Sequence, residues 1–185
     1  MERMLATPAD AEIILKLYQL RTEAVMRKAR AWVVGDFWPT TAEEFYAIYE
    51  NAADKHNPWL RQVITYWEMA AALVLHGAVS AELFVDCNAE GFFLLAKFKP
   101  LLEEIRRKTP GFLGKTSEMV TRFSSAGQRY EGILKRVEAT RPSRGGKGKK
   151  TAAPAEPAAA ETAAAAEPAA AEPAAPEAET ETPTA

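Results

Sequence analysis

Residues 151–185 are built from four residue types only, 17 Ala, 7 Glu, 6 Pro and 5 Thr. That segment has no aromatic or large aliphatic side chain with which to build a core. All 17 aromatic residues of the 185-residue chain lie at or before Tyr130, so folding is confined to roughly the first 140 positions. This is one domain's worth of sequence. A repeat array, a collagen, a disulfide scaffold and a two-domain enzyme are all disfavoured. The resulting division is a helical domain over 1–140, a basic linker over 141–150 and an acidic Ala/Pro/Glu-rich tail over 151–185. Within the tail, Ala-Glu-Pro-Ala-Ala-Ala-Glu occurs twice, at 155–161 and 166–172. Its longest proline-free stretch, 158–167, is shorter than the ~12–15 residues an isolated helix needs, so a disordered, extended tail is expected.

Charge is segregated along the chain. The formal net charge is -2; the tail carries seven Glu and no base, and the junction Arg141–Lys150 (RPSRGGKGKK) carries five bases and no acid. Removing both leaves residues 1–140 neutral, with no overall pull toward nucleic acid or an anionic surface. Cys87 is the only cysteine, which suits a reducing cytoplasm. The N-terminal stretch lacks an apolar run of signal-peptide length. The most apolar run, Met69–Leu75, has seven residues, against about 20 for a bilayer span. A cytoplasmic chain with no membrane association is expected.

Apolar residues recur at helical spacing almost throughout. Thr7-Pro8 opens a first helix, with Ile13, Leu17, Leu20 and Ala24 on one face and Gly35 as its stop. Only Trp32-Val33-Val34 could compete as a strand. Thr41-Ala42-Glu43-Glu44 matches a capping box, and that helix would bury Phe45, Ile48 and Tyr49. Asn57-Pro58 restarts the chain as cap and first turn of the most apolar helix, which Gly77 ends. Ser80 opens the next, with Cys87 expected as a small buried hydrophobe. Gly91–Lys108 should kink at Pro100, and Thr116 or Ser117 should open a last helix to about Val137. The fold class expected is an all-α, single-domain bundle of six or seven helices.

Two charged positions break this patterning. On a helical wheel of the first helix, Arg21 lies between apolar groups, with Ile13, Leu17 and Leu20 to one side and Ile14, Tyr18 and Val25 to the other. Lys28 lies in line with it two turns later, while Glu12, Lys16, Gln19, Glu23 and Arg30 form the solvated face. On the central helix, Glu68 sits beside Trp67 in a narrow polar stripe. A guanidinium directed into a core needs a partner, so an Arg21–Glu68 pair is expected, within a buried polar cluster of Arg21, Lys28, Tyr66 and Glu68.

These stretches also carry a likeness. Leu17–Glu23, Met26–Trp32, Tyr66–Val74 with His76-Gly77-Ala78, and the aromatic stretch Gly91–Arg107 together resemble an uncharacterised family of small helical bacterial proteins, over roughly residues 13–107. The resemblance implies an all-α fold in the bacterial cytoplasm; it carries over no activity, cofactor or catalytic residue.

Catalytic signals are weak. Gly114-Lys115-Thr116 ends like a phosphate-binding loop, but Thr109 stands where the pattern requires Gly. His56 and His76 lack the Glu three residues earlier that di-iron bundles use, Cys87 has no second thiol, and no serine lies in an elbow motif. No metal or cofactor is expected. Lys135, Arg136 and the junction bases Arg141, Arg144, Lys147, Lys149 and Lys150 form a candidate phosphate contact, although no aromatic is interleaved with them. The favoured role is a non-enzymatic protein–protein interaction or adaptor domain with an unidentified protein partner, a homodimer among the options. One alternative is a nucleic-acid-associated protein anchored by 135–150. Another is a ligand-binding or catalytic bundle around Arg21, Tyr66 and Glu68.

Overall fold

A computed structural model describes residues 5–142. The expected acidic tail and all of the basic linker beyond Pro142 lie outside the described residues. Among those described there are nine α-helices and no strand: α1 (Pro8–Thr22), α2 (Ala24–Ala31), α3 (Ala42–Tyr49), α4 (Asn57–Leu75), α5 (Ala81–Cys87), α6 (Glu90–Phe98), α7 (Leu102–Lys108), α8 (Gly114–Arg122) and α9 (Ser124–Thr140). A π-helical turn, Trp32–Asp36, follows α2, and a 3-10 turn, Lys99–Leu101, joins α6 to α7. The fold is all-α.

Several helix ends follow directly from local chemistry. Thr7 and Asp10 cap each other at the start of α1: Thr7 N donates to Asp10 Oδ2 at 2.6 Å and Asp10 N to Thr7 Oγ1 at 3.3 Å. Thr41 Oγ1 accepts from Glu44 N at 3.2 Å, but the Glu44 carboxylate reaches back to Thr40 N, at 2.7 Å, instead of Thr41. Gly77, at φ 74°, ends α4 in the left-handed region, with Ala78 N donating back to Leu73 O at 2.9 Å. Pro100 breaks the long aromatic helix as expected, leaving the 3-10 turn between α6 and α7.

Three expectations are corrected. The first helix does not run on to Gly35, because Glu23, at ψ 144°, leaves the helical region and separates α1 from α2. The last helix also divides, at Phe123 with φ -114° and ψ 122°; these two breaks raise the helix number above six or seven. Cys87 is exposed. Ala81, Phe84 and Val85 take the inward face of α5, and the next inward position at that spacing is the buried Asn88, about 100° round from Cys87.

Helix α4 runs through the middle, packed against α2, α3, α5 and α8, while α6 packs against α8 and α9. Leu60, Val63, Trp67, Ala70 and Val74 of α4 are buried, as are Phe45, Phe92 and Phe98 on its neighbours. Trp67 approaches α6 where Gly91 has no side chain. A Cβ placed on Gly91 would lie 3.2 Å from the indole ring. The expected outcome for Gly91→Ala is a loss of about 1–3 kcal/mol, read as a lowered urea midpoint with an unchanged slope.

Candidate functional site

The break at Glu23 decides which charges enter the interior. On α2, Met26 and Ala29 are buried, as is Val33 in the turn beyond. This face brings Arg30 inward, whereas counting from α1 had placed it in solvent. Lys28, expected in the buried cluster, is exposed for the same reason. Arg30 forks onto Glu90 at the start of α6: its Nε lies 2.8 and 3.0 Å from the two carboxylate oxygens, and Nη2 lies 2.5 Å from Oε2. The two side chains are only 20% and 13% exposed. Trp67 Nε1 donates to the same carboxylate at 3.1 Å. Two planar donor groups from α2 and α4 therefore converge on one acid of α6.

Arg21 is buried as expected, with its guanidinium 5.2 Å from the Tyr18 ring centroid. Tyr66 lies in the same region, and its hydroxyl donates to Leu17 O at 2.7 Å. Burial pushes the phenol up to about 12, with Glu90 adding to the rise and Arg21 and Arg30 opposing it. The cluster thus joins Arg21, Tyr66, Trp67, Arg30 and Glu90.

Glu68 does not belong to it. Its carboxylate accepts from Lys115 N at 2.8 Å, Thr116 N at 3.0 Å and Thr116 Oγ1 at 2.7 Å. The expected Arg21–Glu68 pair is therefore corrected: Glu68 is two positions beyond Tyr66, about 200° of helix rotation, so they leave α4 on opposite sides. Glu68 places a carboxylate against the positive end of α8. The Gly114-Lys115-Thr116 turn, which looked like a phosphate loop, holds an anion that belongs to its own chain.

A third polar group had no signal in the sequence beyond a Lys inside an aromatic helix. Lys97 of α6 is 2% exposed. Its Nζ donates to Val33 O at 2.5 Å and Val34 O at 3.2 Å, in the π-helical turn, and lies 4.1 Å from the Trp38 ring centroid. A π turn shifts the i→i+4 bonding, leaving carbonyls for a side chain to satisfy. Burial, and then the nearby Arg141, bring the ammonium down to about 7, with Asp36 opposing. Arg141, the one junction base among the described residues, donates from Nη2 to Lys97 O at 2.6 Å and lies 5.6 Å from the Trp38 ring. Arg144, Lys147, Lys149 and Lys150 lie outside the described residues.

Among the described residues, no group of three His, Cys, Asp or Glu side chains could hold a metal ion, and no helix is long and apolar enough to cross a membrane. His56 lies face to face with Trp32, centroids 4.2 Å apart, and its Nδ1 is 3.2 Å from Asp54 Oδ1.

A family model described as a domain of unknown function (DUF4760) matches residues 6–123. The chain belongs to this family. No curated protein and no solved structure matches it. The DUF4760 match ends at the break between α8 and α9. Arg30, Trp67, Glu68, Glu90 and Lys97 all fall within it, while α9 and Arg141 lie beyond.

Two outcomes follow. Lys97 has a folded-state pKa below its ordinary 10.5, so folding releases a proton between about pH 7 and 10.5. Stability contributed through Lys97 therefore rises with pH across that window, by at most about 1.4 kcal/mol per unit. Urea titrations from pH 7 to 9 are expected to show this positive slope relative to Lys97→Met, which lacks the group. Glu68→Ala, which removes the anion from the start of α8, is expected to cost about 1–2 kcal/mol in the same assay.

Proposed function

We propose that this DUF4760 chain is a non-enzymatic protein-interaction domain that docks a second copy of itself along the outward flank of α1. The observation that carries this reading is how little of α1 the body covers. Of its 15 residues only Leu17 and Arg21 are buried. Leu15, Tyr18 and, beyond the break, Val25 remain 63%, 51% and 59% exposed. Ala11, Leu15, Tyr18 and Thr22 form one exposed stripe at i, i+4, i+7 and i+11, the spacing of a helix–helix seam, with Ile14 half-buried at its inner edge. Large apolar groups aligned in this way mark an interaction surface, unlike ones scattered singly.

The charges flanking the stripe fit a copy in the reverse direction. Asp10 and Glu12 lie at one end, and Arg27 and Lys28, all exposed but Asp10, lie beyond the other. A two-fold antiparallel pairing centred on Tyr18 sets the acidic end of each copy beside the basic end of its mate. The polar interior supports a structural reading of the body. The Tyr66 hydroxyl and the Glu68 carboxylate are both engaged, on opposite sides of α4, so the catalytic alternative around Arg21, Tyr66 and Glu68 lacks a common site. A reducing bacterial cytoplasm is part of the same proposal, supported by the free, exposed thiol of Cys87.

The test is sedimentation velocity of the full chain over a micromolar concentration series. The wild type is expected to shift toward dimer with concentration. Leu15→Asp/Tyr18→Asp is expected to stay monomeric with unchanged helical circular dichroism. A wild type that remains monomeric throughout, or a double variant that dimerises equally well, would overturn the reading.

A further inference from the structure

An open groove of about 470 Å³ runs between α3 and α7, on a different part of the molecule from the α1 flank. Its lining includes Tyr46 and Ala47 and the charged side chains of Glu43, Glu50, Glu104 and Lys108. One end already shows what the groove accepts. Lys108 Nζ lies 2.5 Å from Glu50 Oε2 and 4.6 Å from the Tyr46 ring centroid, an ammonium held between a carboxylate and an aromatic face. At the other end, neither Glu43 nor Glu104 is in an ion pair among the described residues. Glu43 is held below the usual carboxylate range by its own backbone N–H and the Thr41 hydroxyl, so it stays anionic.

We propose that this groove is the docking site of the chain's own basic segment, residues 143–150, whose ammonium groups pair with Glu43 and Glu104. Charge complementarity and reach both support this. The segment carries Arg144, Lys147, Lys149 and Lys150 and no acid, whereas three of the four charged groups around the groove are carboxylates. Its starting point is set by Arg141, which clamps onto Lys97 O and the Trp38 ring. Trp38 precedes Glu43 by five residues, at most about 18 Å of chain. Lys97 precedes Glu104 by seven residues of helical and 3-10 backbone, about 10–14 Å. The nine residues from Pro142 to Lys150 can extend about 30 Å, so the lysines reach the groove with slack. Gly145, Gly146 and Gly148 let the backbone bend into it. Pro142 ends α9 and holds Arg141 extended, at ψ 128°, sending the chain off the helix axis at the clamp. Docking would withhold the most basic part of the protein from phosphate-bearing partners.

The seven glutamates of residues 151–185 are the chain's other candidate acids for these lysines, and zero-length carbodiimide cross-linking of the full chain distinguishes the two outcomes. It joins an amine to a carboxylate only when they touch, and the Lys108–Glu50 amide serves as internal control. The expected result, by mass spectrometry of the monomer band, is amides from Lys147, Lys149 or Lys150 to Glu43 or Glu104. They should fall several-fold in 1 M salt, where the screening length is about 3 Å, and be absent in Glu43→Gln/Glu104→Gln with circular dichroism unchanged. Amides from these lysines only to glutamates of the tail, or only between two copies, would overturn the proposal, as would control amides with none from the segment.

Discussion

One carboxylate, that of Glu90, holds three helices at a point. It accepts both arms of the Arg30 fork from α2 and the indole N–H of Trp67 from α4, and it opens α6 itself. The next residue, Gly91, has no side chain, which lets the Trp67 ring lie against the α6 backbone. The polar and steric halves of this contact depend on each other. Without the acid, Arg30 would be a largely buried cation lacking its strongest partner, at a cost of about 3–5 kcal/mol. A Cβ at 91 would lie 3.2 Å from the indole, so the ring would have to shift by a few tenths of an ångström.

The rest of the polar interior has a common logic that comes from short helices. Every helix end leaves carbonyls or N–H groups without intrahelical partners, and a bundle of many short helices has many ends. Here side chains from elsewhere in the chain satisfy them. Asn57 donates to Ile48 O and Tyr49 O at the end of α3, Arg106 to Phe112 O and Leu113 O in the turn before α8, and Arg122 to Leu75 O at the end of α4. The Arg106 contacts lie at Leu113, which at φ 50° is, among the described residues, the one non-glycine residue in the left-handed region and is fully buried. Glu68 at α8 and Lys97 at the π turn are further cases of the same device. These groups tie one helix end to another, so their substitution is a question of stability before it is one of activity.

Against such an interior, the surface is where specificity can reside. The body is charge-neutral, yet α1 leaves large apolar groups uncovered and the α3–α7 groove gathers acids beside a tyrosine. The two features differ in chemistry, one apolar and elongated, the other acidic. They sit on separate elements, so occupation of one does not consume the other.

Much of the architecture was legible in the chain. Restriction of the aromatics to the first 130 residues confined the core, helical spacing excluded a sheet, and Thr7, Thr41, Ser80, Gly77 and Pro100 marked helix boundaries through chemistry that acts within one turn. The burial of Arg21 was also readable, because it depends only on neighbours along the same helix. What the spacing could not show was the break at Glu23, where nothing as strong as Gly or Pro interrupts the pattern. Missing it carried the wheel's phase forward and exchanged the roles of Lys28 and Arg30. The same limit hid the partners of Glu68, Glu90 and Lys97, which lie 47, 60 and 64 positions away from them in the chain. Periodicity reports which way a side chain leaves its own helix. Which backbone end or charge it meets depends on how separate helices cross, and that is settled only when the whole core excludes water together.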